Sequence, residues 1–166
     1  MITIGIDPGW ASFGISVIKD RKMIGFTSYV PKDYLSLINF IGELNHYLLR
    51  VIDDDDAVSD GYMVYIERFV VYGGVQVDPE NILMLIGALD YYFSMNFAKP
   101  KLVKALDWKV KMCHHLVKTT GESNPSTKLD KKFSLWAAEK LSGIKFKSDH
   151  EADAVCLSYL TEGILK

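Results

Sequence analysis

Three acids and one histidine, far apart in the chain, have the types and local settings of a metal site: Asp7, Glu67, His150 and Asp153. Asp7 closes the alternating run Ile2-Thr3-Ile4-Gly5-Ile6 and is followed by Pro8-Gly9. Pro8 biases Asp7 away from helical geometry, and Gly9 permits a tight turn and close approach of a ligand. Glu67 ends a second short run, Val64-Tyr65-Ile66. His150 and Asp153 are three apart in a helical pattern, so both project from one face about one turn apart. Asp153 sits among Ala152, Ala154, Val155 and Leu157, a setting that buries the acid and demands a partner. Each signal alone has an ordinary explanation. Asp-Pro-Gly initiates turns, a strand-terminal Glu marks where a strand surfaces, and acids in a first helical turn offset the helix dipole. The last accounts well for Asp149 and Glu151. Together the four residues are a hard, oxygen-rich donor set suited to Mg²⁺ or Mn²⁺, the His150 nitrogen being better tolerated by Mn²⁺. Two such cations about 4 Å apart can clamp an in-line phosphoryl displacement. The expected chemistry is metal-dependent phosphodiester hydrolysis. Asp149, four residues before Asp153, is within reach of the same place, and its part in the site stays open.

The elements that must position these groups are legible as a mixed α/β domain. Residues 2–7 alternate with the isoleucines on one face and Thr3, Gly5 and Asp7 on the other; Phe13, Ile15 and Val17 alternate again; Met23–Val30 follows a turn at Asp20-Arg21-Lys22. This predicts an antiparallel three-strand meander. Asp33 is placed to cap a long helix in which Leu37, Ile38, Ile41, Leu44, Leu48, Val51 and Ile52 recur, and Asp53–Asp56 reads as a solvated loop. Tyr62–Ile66 predicts a strand delivering Glu67, and Phe69–Asp78, with Gly73-Gly74, a loop. Pro79 suits a helix start. Glu80–Phe97 is apolar nearly all round, which predicts a helix buried on more than one side, either in the core or at a subunit interface. Pro100–Ala105 is a candidate fifth strand, with Asp107 capping a helix to about Val117. Thr119–Lys128 is the best loop candidate. Leu129–Leu141 reads as a helix, and Ser148 with Glu151 as the capping box of the last one.

The order Ile-Gly-Ile-Asp7-Pro8-Gly9, Gly14-Ile-Ser-Val-Ile, Tyr-Ile-Glu67, then His150-Glu-Ala-Asp153-Ala154 resembles the RuvC family of Holliday-junction resolvases, in its divergent phage or viral form. The resemblance runs in order through the whole chain. It implies an RNase H-like fold, with a central mixed five-stranded sheet flanked by helices and a single nuclease domain over residues 1–166. It implies a homodimer that nicks opposed strands of a four-way DNA junction, leaving 5′-phosphate and 3′-hydroxyl ends, with two Mg²⁺ per site and Mn²⁺ as a substitute. The match assigns Asp7, Glu67 and Asp153 to the metal-binding carboxylates. His150 falls where many relatives carry Asp and others His. The segment after Glu67 is where relatives place an aromatic that wedges into the junction, which leaves Phe69 and Tyr72 as candidates and Arg68 as a phosphate or acid partner.

Charge distribution is compatible with that partner. The net charge is −2, yet Lys99 to Lys147 holds 12 Lys against four acids, Asp107, Glu122, Asp130 and Glu139. A basic segment in an otherwise acidic chain suits a phosphate backbone, though a solvated Lys-rich face has the same composition. Lys109, Lys111, Lys118, Lys128, Lys131 and Lys132 flank the predicted loop and are expected to hold DNA arms through phosphates. His114 and His115 are adjacent, hence on different sides of a helix and poor joint ligands. Trp108 and Trp136 lie in helical apolar patterns and are expected as core anchors.

Other classes fit less well. No apolar run approaches the ~18 residues that span a bilayer, Asp7 interrupts any signal-like start, and Cys113 and Cys156 lack metal or disulfide spacing; a reduced, cytoplasmic setting, the host's if the chain is phage-encoded, is expected. The Asp7-Pro-Gly start also resembles the first phosphate motif of actin-like kinases, but no second glycine-rich phosphate segment follows. A related nuclease acting on flaps or RNA–DNA hybrids, or a non-catalytic junction-binding relative, shares much of the pattern.

Overall fold

The structure is a computed structural model that describes residues 1–9, 12–29, 34–52, 61–69 and 79–160. Five strands form one sheet: β1 (Ile2–Pro8), β2 (Phe13–Lys19), β3 (Lys22–Tyr29), β4 (Tyr62–Arg68) and β5 (Lys101–Lys104), in spatial order β3-β2-β1-β4-β5. The first three pair antiparallel as the expected meander, and β1, β4 and β5 run parallel. β1 is central and buried along its whole length, as a strand covered on both faces must be.

The alternation of β1 divides two cores. Ile2, Ile4 and Ile6 pack with Phe40, Leu44 and Leu48 of α1 (Tyr34–Val51) and with Leu85, Leu89 and Phe93 of α2 (Pro79–Asn96). On the other face, Tyr65 packs with Trp108, Met112 and Leu116 of α3 (Ala105–Thr120), Phe133 and Ala137 of α4 (Lys131–Ser142), and Val155 and Cys156 of α5 (Asp149–Ser158). The result is a helix–sheet–helix sandwich.

Several local expectations change. Asp107 does not cap α3: β5 runs straight into the helix, Lys104 holds the N-cap position without a side-chain bond, and Asp107 falls in the first turn, where its charge still complements the dipole. That helix continues to Thr120, so the intervening segment starts at Gly121, a left-handed C-cap with φ of 72°. Asp130 caps α4 by accepting from the Lys132 and Phe133 amides. Ser148 caps α5 by accepting from the Glu151 amide, but the Glu151 carboxylate accepts from Ser28 Oγ of β3 at 2.9 Å rather than closing a capping box. Pro79 does open α2. That helix is buried on one side only: Ile82, Leu85, Ile86, Leu89, Tyr92 and Phe93 face inward, while Leu83, Tyr91 and Met95 are exposed, Tyr91 to 70%. Asp33, the acidic run 53–56 and the loop residues 70–78 lie outside the described residues. Among the described residues no helix is long and apolar enough to cross a membrane.

Candidate active site

The sheet places the first two acids side by side. Ile6 of β1 is in register with Ile66 of the parallel neighbour β4, so Asp7 and Glu67, each one residue further on, emerge together at the carboxyl ends of adjacent strands. Crevices at such ends are where open α/β sheets bind ligands. Ile6 and Ile66 both belong to the α1/α2 core. Pleating therefore turns Asp7 and Glu67 to the opposite face, where α3 and α5 pack.

The helix α5 reaches them because glycines let it lie directly on the sheet. A methyl group at Gly14, which pairs with Asp7 across β1 and β2, would overlap the backbone carbonyl of His150. One at Gly5 would overlap the Ala154 carbonyl and the Ser158 amide. The buried hydroxyls of Ser16 and Ser158, 3.1 Å apart, hold the same contact. Docked this closely, α5 brings His150 Nδ1 within 2.7 Å of Asp7 Oδ2 and aims Asp153, on the same helix face, into the crevice. Asp149 turns away and pairs with Lys131 Nζ at 2.8 Å.

Two further residues enter from the N-terminal part of α3. The Trp108 indole, fully buried, donates from Nε1 to Glu67 Oε2 at 2.9 Å. Lys109 Nζ pairs with Asp153 Oδ2 at 2.9 Å, with both side chains nearly enclosed (14% and 11% exposed). Lys109, expected beside the 119–128 loop, is thus inside the carboxylate cluster instead. Trp108 is the core anchor expected and also a positioning donor, a role sequence reasoning missed. The available signal was general: a buried Trp N–H needs an acceptor.

Electrostatics reflect the crowding. Burial, then the neighbouring charges of Asp7 and Asp153, push Glu67 up to about 8 against the pull of Trp108 and Lys109. Burial likewise raises Asp153, with Lys109 opposing. The hydrogen bond to Asp7 raises His150 despite partial burial. For Lys109, burial disfavours the ammonium, but Asp153, Glu67 and Asp7 together outweigh it and its pKa is raised.

The donor set fits a hard divalent cation. Among the described residues no three His, Cys, Asp or Glu side chains are drawn together tightly enough to hold an ion; Lys109 pairs with Asp153 Oδ2 and His150 with Asp7 Oδ2. Yet Asp153 Oδ1 is buried with no hydrogen-bond partner, an acceptor that an inserted cation would satisfy.

The remaining sequence candidates scatter. Arg68 ends β4 exposed, and Phe69 follows it half-buried; Tyr72 lies outside the described residues. Lys131 is near the cluster through Asp149, the neighbour of His150. Lys132 and Lys128 are exposed at and before the start of α4, Lys118 is exposed in the last turn of α3, and Lys111 is half-buried on that helix.

No family model matches the chain, and no curated protein does. Solved structures do. The Thermus thermophilus RuvC complex with a Holliday junction substrate aligns with a TM-score of 0.68 at 14% identity, covering 95% of this chain and 90% of that one. This chain has the RuvC fold. A second RuvC structure from the same organism aligns with a TM-score of 0.65 at 14% identity over 95% of this chain and 91% of that one. The RNase H-like, five-stranded mixed sheet expected from the sequence is the RuvC architecture observed, at an identity that fits a divergent form.

Proposed function

We propose that this chain is a divalent-metal-dependent endodeoxyribonuclease that resolves four-way DNA junctions by paired nicking, leaving 5′-phosphate and 3′-hydroxyl ends. The observation that carries this reading is the convergence of Asp7, Glu67, His150 and Asp153 at two parallel strand ends and one helix start, on a RuvC fold. Asp7, Glu67 and Asp153, with His150, would hold the metal, two Mg²⁺ per site with Mn²⁺ as substitute. When bound, the metal supplies activation of water and stabilisation of developing charge on the phosphate. The protein's own groups prepare the site. Trp108 fixes the rotamer of Glu67, His150 orients Asp7, and the glycine-seated α5 holds Asp153 at a set distance from both strands.

DNA contacts fall to groups around the crevice. Arg68 and Phe69 directly follow Glu67, and the exposed Lys118, Lys128 and Lys132 are available to phosphates, with Lys131 beside the site and Lys111 less accessible. Tyr72 remains the alternative wedge to Phe69. A homodimer supplies the two nicks. Its proposed surface is the unburied side of α1 and α2, where Ile38, Tyr91 and Leu37 line an apolar groove of about 320 Å³, an uncommon feature for a solvent-facing helix pair.

A cleavage panel tests the reading: four-way junction, three-way junction, flap and RNA–DNA hybrid, each with Mg²⁺, Mn²⁺ or EDTA. Metal-dependent, symmetric nicking of the four-way junction in preference to the others is expected. Absence of cleavage of every branched substrate in both metals would overturn it, and preference for the hybrid would move the chain to another nuclease class.

A further inference from the structure

We propose that Lys109 is a resident counter-cation: its ammonium neutralises the same Asp153 carboxylate that a divalent ion would share, so the Lys109–Asp153 pair and metal binding compete. The inference rests on the reading of this site as a metal centre.

Lys109 is the fifth residue of α3, one turn in from its start. Its ammonium reaches Asp153 Oδ2 at 2.9 Å, and both side chains are nearly enclosed. An uncompensated carboxylate in that position is costly. The Lys109 ammonium also lies 5.1 Å from the Trp108 ring centroid, so the residue that fixes Glu67 flanks the one that neutralises Asp153.

The three acids thus have three different protein-supplied compensations. Lys109 serves Asp153, His150 serves Asp7, and the Trp108 indole serves Glu67. A lysine suits the first role because its ammonium is a point charge on a flexible stem that can withdraw. A divalent ion entering at the unpartnered Asp153 Oδ1 meets the Lys109 ammonium on the other oxygen of the same carboxylate; the two cations repel, and coupling of that kind is reciprocal.

The test uses metal-free, DNA-free protein. Lys109→Met keeps the stem and removes the charge; Lys109→Arg keeps the charge. Thermal unfolding in EDTA and calorimetric titration with MnCl₂ are measured for both beside wild type. Lys109→Met is expected to melt lower in EDTA, to bind Mn²⁺ at least about fivefold more tightly, and to lose its stability deficit at saturating Mn²⁺. Lys109→Arg is expected to bind Mn²⁺ no more tightly than wild type. A lysine that merely supports the fold would loosen metal binding when removed, so equal or weaker Mn²⁺ binding by a folded Lys109→Met overturns the proposal while leaving the metal site standing. If Lys109→Met does not fold, Lys109→Gln takes its place in the titration, with tighter Mn²⁺ binding again expected and equal or weaker binding again overturning the proposal. Absence of Mn²⁺ binding to wild type and variants alike overturns the metal reading itself, and this proposal with it.

Discussion

The Trp108 indole N–H and the Glu67 carboxylate, 41 residues apart, meet at 2.9 Å, the indole itself being fully buried. The bond joins the core to the crevice. It stabilises the charged form of Glu67 against burial and two neighbouring acids, and so opposes the rise in that group's pKa.

Trp108→Phe keeps most of the packing and removes the donor. Glu67 then loses a pKa-lowering contact and moves further up, so the acidic limb of the cleavage pH profile shifts to higher pH. The rate at neutral pH is expected to fall about tenfold, the size of one hydrogen bond to a charged group. An unmoved limb with a lower rate would mean that Trp108 serves packing alone.

Gly14→Ala tests the seating of α5. Its methyl would overlap the His150 carbonyl, and overpacking of this kind costs about 1–3 kcal/mol. Both the melting temperature and cleavage should drop, because the displaced helix carries His150 and Asp153. Gly87→Ala is the control for stability: it lies within α2 with open space around it and should raise the melting temperature, stabilising by about 0.5–1 kcal/mol. Equal effects at the two positions would remove the seating argument.

The metal-free protein should lose stability as pH rises. Glu67 lies at about 8 in the folded chain against an ordinary 4.5, so the folded state keeps a proton that the unfolded state releases. The stability tied to that proton is complete below the unfolded value and disappears as pH climbs through the folded one. His150, raised by Asp7, adds a loss of the same sign above its ordinary value. Denaturant unfolding in EDTA from about pH 5.5 to about 8.5 should show a decline, with Glu67 contributing up to about 1.4 kcal/mol per pH unit. Glu67→Gln cannot ionise and should flatten that share. A rise in stability over this window contradicts the assignment.

The proposed phosphate holding by Lys128, before α4, and Lys132, within it, has its own signature. Replacing Lys128 and Lys132 by Ala should weaken junction binding without regard to sequence and reduce the slope of log K against log salt by about two. A drop in affinity with an unchanged slope would assign those side chains to something other than phosphates.

Sequence reasoning went furthest where the physics is local. The alternation of Ile2, Ile4 and Ile6 against Thr3, Gly5 and Asp7 foretold which face of β1 carries the acid, and the i, i+3 spacing of His150 and Asp153 foretold a shared helix face. Capping was read well at Ser148 and poorly at Asp107, because β5 enters α3 with no loop and leaves no room for a separate cap. Lys109 was read as a DNA-phosphate contact beside the 119–128 loop; its pairing with Asp153 depends on how α3 and α5 lie together on the sheet, a long-range docking that no local pattern encodes. Gly14 was quoted for the resemblance alone; its steric role appears only once α5 lies on it. The burial of α2 was overestimated because an apolar face that stays exposed, as at Leu83, Tyr91 and Met95, has the same composition as one turned to the core.

The most direct test of the central claim measures binding and cleavage of one four-way junction by wild type and Asp7→Asn, side by side in Mg²⁺. Asp7→Asn is expected to bind the junction within about twofold of wild type, to unfold cooperatively, and to cleave at least about a thousandfold more slowly, as loss of a metal-holding carboxylate implies. Cleavage by Asp7→Asn at a rate near that of wild type would contradict the claim.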